Sequence, residues 1–378
     1  MKSIKHLKVA LVHDFLVGYG GAEHVLEVLA GMFPEAPIYT LIYDAERMRG
    51  FLKGREIRTS FLQKFPRFFR KRLAWLLPLL PTAPETFNLR DFDLVISSSG
   101  AWSKGIVTKL NTKHVAYIHS PMRFAWDYSE KYLAENRKEK LACFVRPLLS
   151  YVRLWDREAA DRPDFLVANS KYTQERIQKY YRRESAVVYP PVSVSKPAPS
   201  VSQEKLKSQL PTNPYFLVVS RLSPYKRVDL AIEAFNKLEL PLVIIGEGRE
   251  RKRLERMAGK TVKVLGWKNN QELRMYYQNA RALIFPTLDD FGITMVEAMT
   301  EGLPVVAFRQ GGATEIVEEG ISGEFFDAQT PEVLADGVRR FMERESRYNK
   351  EVIRQRGRQF SEDTFKVGFL AVLEKALE

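Results

Sequence analysis

The 378-residue chain contains a single cysteine, Cys143, and only five histidines. One thiol can neither close a disulfide within the chain nor build a cysteine metal cluster, and this points to a reducing compartment. No stretch is polar or repetitive enough to suggest disorder, and no sequence repeat stands out. The opening MKSIKHLKVALVHDF carries basic residues, but its apolar run is short and leads into His13 and Asp14. That fits a first β-strand better than a secretory leader. Acids are also scarce: 59 Lys plus Arg against 46 Asp plus Glu leave a net charge of +13. Such a surface favours anionic partners, whether nucleic acid, a phosphorylated small molecule or an anionic bilayer.

What is present suits two domains, at roughly 100–200 residues each. Hydrophobic residues make up 45% of the chain, ample for two cores. Short β-rich runs at 8–15, 36–43, 92–99, 114–120 and 164–170 alternate with helical patterns such as AEHVLEVLAGMF and residues 146–160. After the Pro/Ser-dense YPPVSVSKPAPSVS (189–202), expected to be an interdomain linker, the pattern restarts at 215–222, 240–248, 261–267, 280–287 and 303–312. Strands alternating with helices indicate βαβ units and parallel sheets. In such sheets ligands sit beyond the carboxyl ends of strands. The polar candidates all cluster there.

VGYGGAEHVLEVL (17–29) is a glycine loop opening a helix. Gly18, Gly20 and Gly21 permit tight turning, and loop NH groups can face an anion. Glu23 occupies the third-glycine place of a dinucleotide fingerprint, so that motif is not present. A plain structural turn is the alternative. YIHSP (117–121) ends an apolar strand at His119, either a hydrogen-bonded core residue or a catalytic one, and MRFAWDY adds Arg123, Trp126 and Asp127 in a cluster expected to face a cleft. In VVSRLSPYKRVDLAIEAF (218–235), Arg221 leaves a strand end and Lys226 precedes a helix. Two cations plus a helix N-terminus suit a pyrophosphate. IGEG (245–248) is weak alone. The DDFG at 289–292 lacks the other kinase signatures. FRQGGATEIVEEGISGEFF (308–326) offers Gly311 and Gly312 as a second source of NH donors, with Gly320 and Gly323 in turns. FLQKFPRFFRKRLAWLLPLLP (61–81) interleaves Lys64, Arg67, Arg70, Lys71 and Arg72 with aromatic and leucine residues. It is too short and too charged to span a bilayer. It suits either an anionic membrane surface or a helical hairpin packed on its own domain.

GGAE, YIHSP, SRLSPYKRVDLAIEAF, FGITMVEAMTEGLPVVAF and GGATEIVEEGISGEFF, in this order, resemble the retaining glycosyltransferases of family 4 ("glycosyl transferases group 1"). ALVHDF…GGAE with DDFGITMVEAM is most similar to mannosyltransferases of bacterial O-antigen and exopolysaccharide assembly. The resemblance implies the α/β GT-B fold: two Rossmann-like parallel-sheet domains facing a central cleft. It places an acceptor domain at 1–190, a nucleotide-sugar domain at 191–359, and a C-terminal helix at 360–378 crossing back to the first domain. It assigns Asp289 and Glu297 to the family's E-x7-E pair, the former to hydroxyls of the transferred sugar and the latter to the donor ribose. The first member is Asp here, which reaches one methylene less. Arg221 and Lys226 match the pair holding the donor diphosphate, with Gly20 and Gly21 approaching the same phosphate. His119 matches the histidine beside the transferred sugar, and Glu23, Arg123 and Asp127 fall on the acceptor side. No cofactor or metal is implied, and there is no Asp-x-Asp motif of the kind that binds a sugar nucleotide's metal.

The implied partners are a nucleotide-sugar donor, a glycan or lipid-linked acceptor and an anionic membrane surface, without nucleic acid. The expected location is cytoplasmic, peripheral on the inner face of the plasma membrane. The donor expected is GDP-mannose, with a UDP-sugar as the alternative. A nucleotide-sugar 2-epimerase and a non-enzymatic basic binding protein rank lower, because the two cations and two acids are all retained.

Overall fold

A computed structural model describes residues 6–48, 50–70, 72, 75–130, 133, 142–193 and 214–378. It divides into two compact units, Met1–Pro191 with Glu362–Glu378, and Val192–Ser361. Most of the 189–202 stretch expected to link them lies outside the described residues.

The first unit holds seven parallel strands: β1 (Val9–Leu16), β2 (Ile38–Tyr43), β3 (Ile57–Thr59), β4 (Leu94–Ser99), β5 (Lys113–Ile118), β6 (Phe165–Ala168) and β7 (Ala186–Val187). Their order is β3-β2-β1-β4-β5-β6-β7, so the winding direction reverses between β1 and β4. The central strands are apolar without alternation because both faces are covered. One face packs on helix α1 (Gly21–Met32), where Val25, Leu26 and Leu29 meet Phe365, Phe369 and Leu373. The opposite face packs on Leu62, Leu76, Leu80, Trp102 and Val152. Val152 belongs to α2 (Ala142–Ala159); α3 (Lys171–Tyr181) follows β6, with the Ser170 hydroxyl capping it by accepting from the Thr173 NH.

The second unit repeats the plan with β8 (Tyr215–Val219), β9 (Leu242–Ile245), β10 (Val262–Leu265), β11 (Ala280–Phe285), β12 (Val305–Phe308) and β13 (Gly323–Phe326). The order is β10-β9-β8-β11-β12-β13, reversing between β8 and β11. Helices α4 (Val228–Leu238), α5 (Asn270–Asn279), α6 (Ile293–Thr300), α7 (Pro331–Arg344) and α8 (Lys350–Arg358) flank it. A capping box between Asn269 and Glu272 starts α5. Helix α9 (Glu362–Leu377) belongs to the first unit, where Phe365 and Phe369 lie against Tyr117 at ring distances of 5.8 and 6.2 Å.

Two local expectations change. Gly323 is not in a turn: it opens β13, where a side-chain carbon would sit 1.9 Å from the Val305 carbonyl oxygen. In segment 61–81, read as a membrane-surface segment or a helical hairpin, the described residues form only short helical turns at Phe61–Lys64, Arg67–Arg70 and Leu77–Leu79, with Lys71, Leu73 and Ala74 outside the described residues. Leu62, Leu76 and Leu80 go into the core, while Phe68 and Trp75 are more than half exposed, with the Arg72 guanidinium over both rings.

Candidate active site

In the second unit the candidate residues gather where β8 and β11 end, the point of reversal at which ligands bind in open α/β sheets. After β8 the chain stays in register with its neighbour: the Ser220 NH donates to the Ile245 carbonyl and the Leu222 NH to the Glu247 carbonyl. Gly246 (φ +148°) and Gly248 permit this approach, since a Cβ on either would lie 1.9 or 2.1 Å from the Ser220 or Leu222 carbonyl oxygen. The IGEG stretch thus braces the loop that carries Arg221. The Arg221 side chain is exposed and forms no ion pair among the described residues. Pro224–Lys226 makes one turn of 3-10 helix, and Arg227, left-handed at φ 50°, redirects the chain into α4.

The loop after β11 is tied to this one. Thr287 Oγ1 donates to the Tyr225 carbonyl at 3.1 Å, and Lys226 Nζ is ion-paired with the Asp289 carboxylate. Gly292, at φ +103°, caps α6. One turn into α6, Glu297 accepts a hydrogen bond from the Tyr277 hydroxyl of α5 at 3.0 Å. Burial, reinforced by the Glu297 charge, pushes the Tyr277 hydroxyl well above its ordinary pKa, so it remains a donor. The unit therefore sets two cations and two carboxylates at one end of its sheet. Gly311 and Gly312 serve the site differently from expectation. The Gly312 NH donates to the Asp289 carbonyl at 3.0 Å, and a Cβ there would fall 2.4 Å from Phe291 Cα. They let two loops touch and do not supply that NH to an anion.

In the first unit the strand-end residues again converge. His13 Nδ1 lies 3.1 Å from Ser98 Oγ, and Ser98 Oγ lies 2.7 Å from His119 Nε2. Glu23 Oε1, on the first turn of α1, is 3.6 Å from His13 Nε2. The neighbouring Asp14 is buried, and its carboxylate accepts the backbone NH groups of Gly100, Ala101, Trp102 and Ser103 at 2.8, 2.7, 2.9 and 2.6 Å. It fixes the loop after β4, hence Ser98 and what touches it. Gly20 is extended (φ −159°), and neither it, Gly18 nor Gly21 has positive φ, so turning freedom does not explain them. A Cβ on Gly20 would come within 3.2 Å of Glu23 Oε2, so Gly20 leaves room for that carboxylate.

The cluster after YIHSP is tied to its own unit by side-chain pairs. Arg176 of α3, nearly buried, donates to Ser120 Oγ at 2.7 Å and pairs with Asp127 Oδ1 at 3.0 Å. The Trp126 Nε1–H donates to Asp156 Oδ2 at 2.8 Å, beside the buried Lys104–Asp156 ion pair. Asp127 and Trp126 therefore secure the loop carrying Arg123, while Asp127 itself remains exposed. The sequence's Asp91-Phe92-Asp93 stands before β4, at the opposite end of the sheet from His119, which follows β5; there Asp93 Oδ2 accepts the Lys8 NH at 2.9 Å. Sequence reasoning missed His13, Ser98 and Tyr277. The polar VHDF and SSSG strand ends were the signal for the first two; Tyr277 left none.

Residues 19–196 match the family model Glycosyltransferase Family 4, and residues 200–360 match Glycosyl transferases group 1. The chain is 25% identical over 366 residues to an uncharacterized glycosyltransferase of Methanocaldococcus jannaschii, covering 94% of this chain and 93% of that one. It is 26% identical over 205 residues to the GDP-mannose-dependent alpha-(1-6)-phosphatidylinositol monomannoside mannosyltransferase of Mycobacterium tuberculosis, covering 48% of this chain and 53% of that one. Among solved structures, HepE of Anabaena in complex with UDP and glucose superposes with a TM-score of 0.71 at 20% identity, over 98% of this chain and all of that one. Sucrose-phosphate synthase of Thermosynechococcus elongatus gives a TM-score of 0.74 at 18% identity, over 98% and 100%. The chain is a glycosyltransferase of GT-B type, with a Glycosyltransferase Family 4 domain followed by a Glycosyl transferases group 1 domain.

Proposed function

We propose that the protein transfers a hexose with retention of configuration, mannose from GDP-mannose, to a lipid-linked or growing glycan in cell-surface polysaccharide synthesis. The observation that carries the donor assignment is the opposed charge at the reversal point of the second sheet: Arg221 and Lys226 after β8, Asp289 and Glu297 after β11. Arg221 and Lys226 take the donor diphosphate and stabilise the charge that grows on it as the sugar–phosphate bond breaks. Glu297, oriented by Tyr277, accepts the ribose hydroxyls. Asp289 receives hydroxyls of the transferred sugar while its second partner, Lys226, faces the phosphate. Residues 1–190 supply the acceptor domain, with the loop at Gly20 and Gly21 near the donor phosphate and His119 beside the transferred sugar. The reaction needs no metal or cofactor.

Similarity to the GDP-mannose-dependent relative favours mannose. The exposed Phe68 and Trp75, with the Arg72 guanidinium over both rings and Arg67 and Arg70 in the same segment, suit attachment to an anionic bilayer on the cytoplasmic side. Among the described residues no helix is long and apolar enough to cross a membrane. The test is turnover: purified enzyme with GDP-mannose and a membrane-lipid extract should release GDP and label lipid-linked glycan. Transfer from a UDP-sugar instead would replace the donor assignment, and no release from any nucleotide sugar would refute the proposal.

A further inference from the structure

The row of side chains from Glu23 to His119 has a directional consequence. Strand register pairs His13 of β1 with Ser98 of β4, and the His119 NH donates to the Ser99 carbonyl at 2.8 Å, so backbone ladders fix all three side chains. His13 is 2% exposed and Ser98 1%. The contacts run Glu23 Oε1 to His13 Nε2 at 3.6 Å, His13 Nδ1 to Ser98 Oγ at 3.1 Å, and Ser98 Oγ to His119 Nε2 at 2.7 Å. A hydroxyl owns one proton. Placed between two imidazole nitrogens, it must donate to one and accept from the other. The carboxylate beside His13 Nε2 favours the proton on that nitrogen, which leaves His13 Nδ1 as an acceptor. Ser98 then donates to His13 and accepts from His119, and that requires a proton on His119 Nε2. The lone pair of the His119 ring is thereby assigned to Nδ1.

We propose that Glu23, His13 and Ser98 are positioning residues that hold His119 as the neutral Nε2–H tautomer, so that Nδ1 accepts a hydrogen bond from a hydroxyl of the transferred sugar. This rests on the assignment of His119 to that sugar. It also moves Glu23 from the acceptor side to the second layer behind His119 and explains the glycine at position 20. A histidine with the opposite tautomer would present N–H to the sugar, and the same hydroxyl would then accept instead of donate.

Nitrogen-15 NMR of histidine-labelled full-length protein reads the tautomer directly, with the five histidines assigned by single His→Gln variants. The wild type is expected to show His119 protonated on Nε2 at neutral pH. Ser98→Ala should release it to a mixture of tautomers and lower kcat about tenfold, the loss of one hydrogen bond's orientation, with donor KM unchanged. His13→Gln, which can still accept from Ser98, should keep the tautomer and most of kcat, whereas His13→Phe should not. A wild-type His119 protonated on Nδ1, or a tautomer indifferent to Ser98→Ala, would overturn the relay. If the tautomer follows Ser98 but His119→Ala transfers sugar at the wild-type rate, the assignment of His119 to the sugar fails, and the proposal with it.

Discussion

Asp14→Asn is the substitution whose cost the first unit's geometry defines most sharply. Each carboxylate oxygen of Asp14 accepts two backbone NH groups, Oδ2 from Gly100 and Ala101, Oδ1 from Trp102 and Ser103. Asparagine fills the same space but keeps one oxygen; its NH2 group would point donors at donors. Two NH groups in a buried loop then lose their partner. A buried donor left unsatisfied costs about 1–3 kcal/mol, so the variant should be less stable by roughly 2–6 kcal/mol. Intrinsic fluorescence isolates the effect, because Trp75, Trp102, Trp126 and Trp155 lie in the first unit and only Trp267 in the second. Urea unfolding followed at Trp emission should show the first unit's midpoint fall while nucleotide binding by the second unit persists in the folded range. A loss under about 1 kcal/mol would mean that the loop finds other acceptors or water, and that Asp14 is not its anchor.

Three further outcomes follow from the same structure. Tyr277→Phe removes the donor at 3.0 Å from Glu297 Oε2 and should weaken nucleotide-sugar binding about 2- to 13-fold by calorimetry, with little change in melting temperature. His114 is buried against Ser97 and held near a pKa of about 3 by desolvation, so the unfolded chain takes up its proton first as pH falls through 6.5. Stability should therefore drop by about 1.4 kcal/mol for each pH unit between those values. A pH series of urea midpoints on wild type and His114→Gln checks this; the variant should lose that part of the slope. Replacing Arg67, Arg70 and Arg72 by Gln should weaken binding to phosphatidylserine vesicles on the order of 100-fold at low salt, at about 1 kcal/mol per basic side chain. Unchanged sedimentation with vesicles would make the segment ordinary packing.

The strands that carry both sites were legible because they are buried on both faces and show up as unbroken apolar runs. Arg221 and Lys226 were legible for the same reason, as polar residues placed between such a run and a helix. Strands β3 and β7, three and two residues long, are too short to express a period. Strand β13 was hidden because Gly323 resembles a turn residue and serves as a close-approach residue. Pairings across elements were not legible: Glu297 with Tyr277, or Glu23 with His13, depend on register and helix rotation. The pairing of Asp127 was hidden for a related reason. Its partner, Arg176, lies 49 positions away on a separate helix.

Nucleotide-sugar binding at the end of the second sheet is tested most directly by thermal shift with GDP-mannose, UDP-glucose, GDP and UDP, on wild type and on Glu297→Ala. A ligand that binds only the folded protein adds roughly 2.7 kcal/mol of stability at 100 times its dissociation constant. The account predicts a rise in melting temperature with GDP-mannose that is lost in Glu297→Ala. Equal shifts in both proteins, or none with any nucleotide, would contradict it.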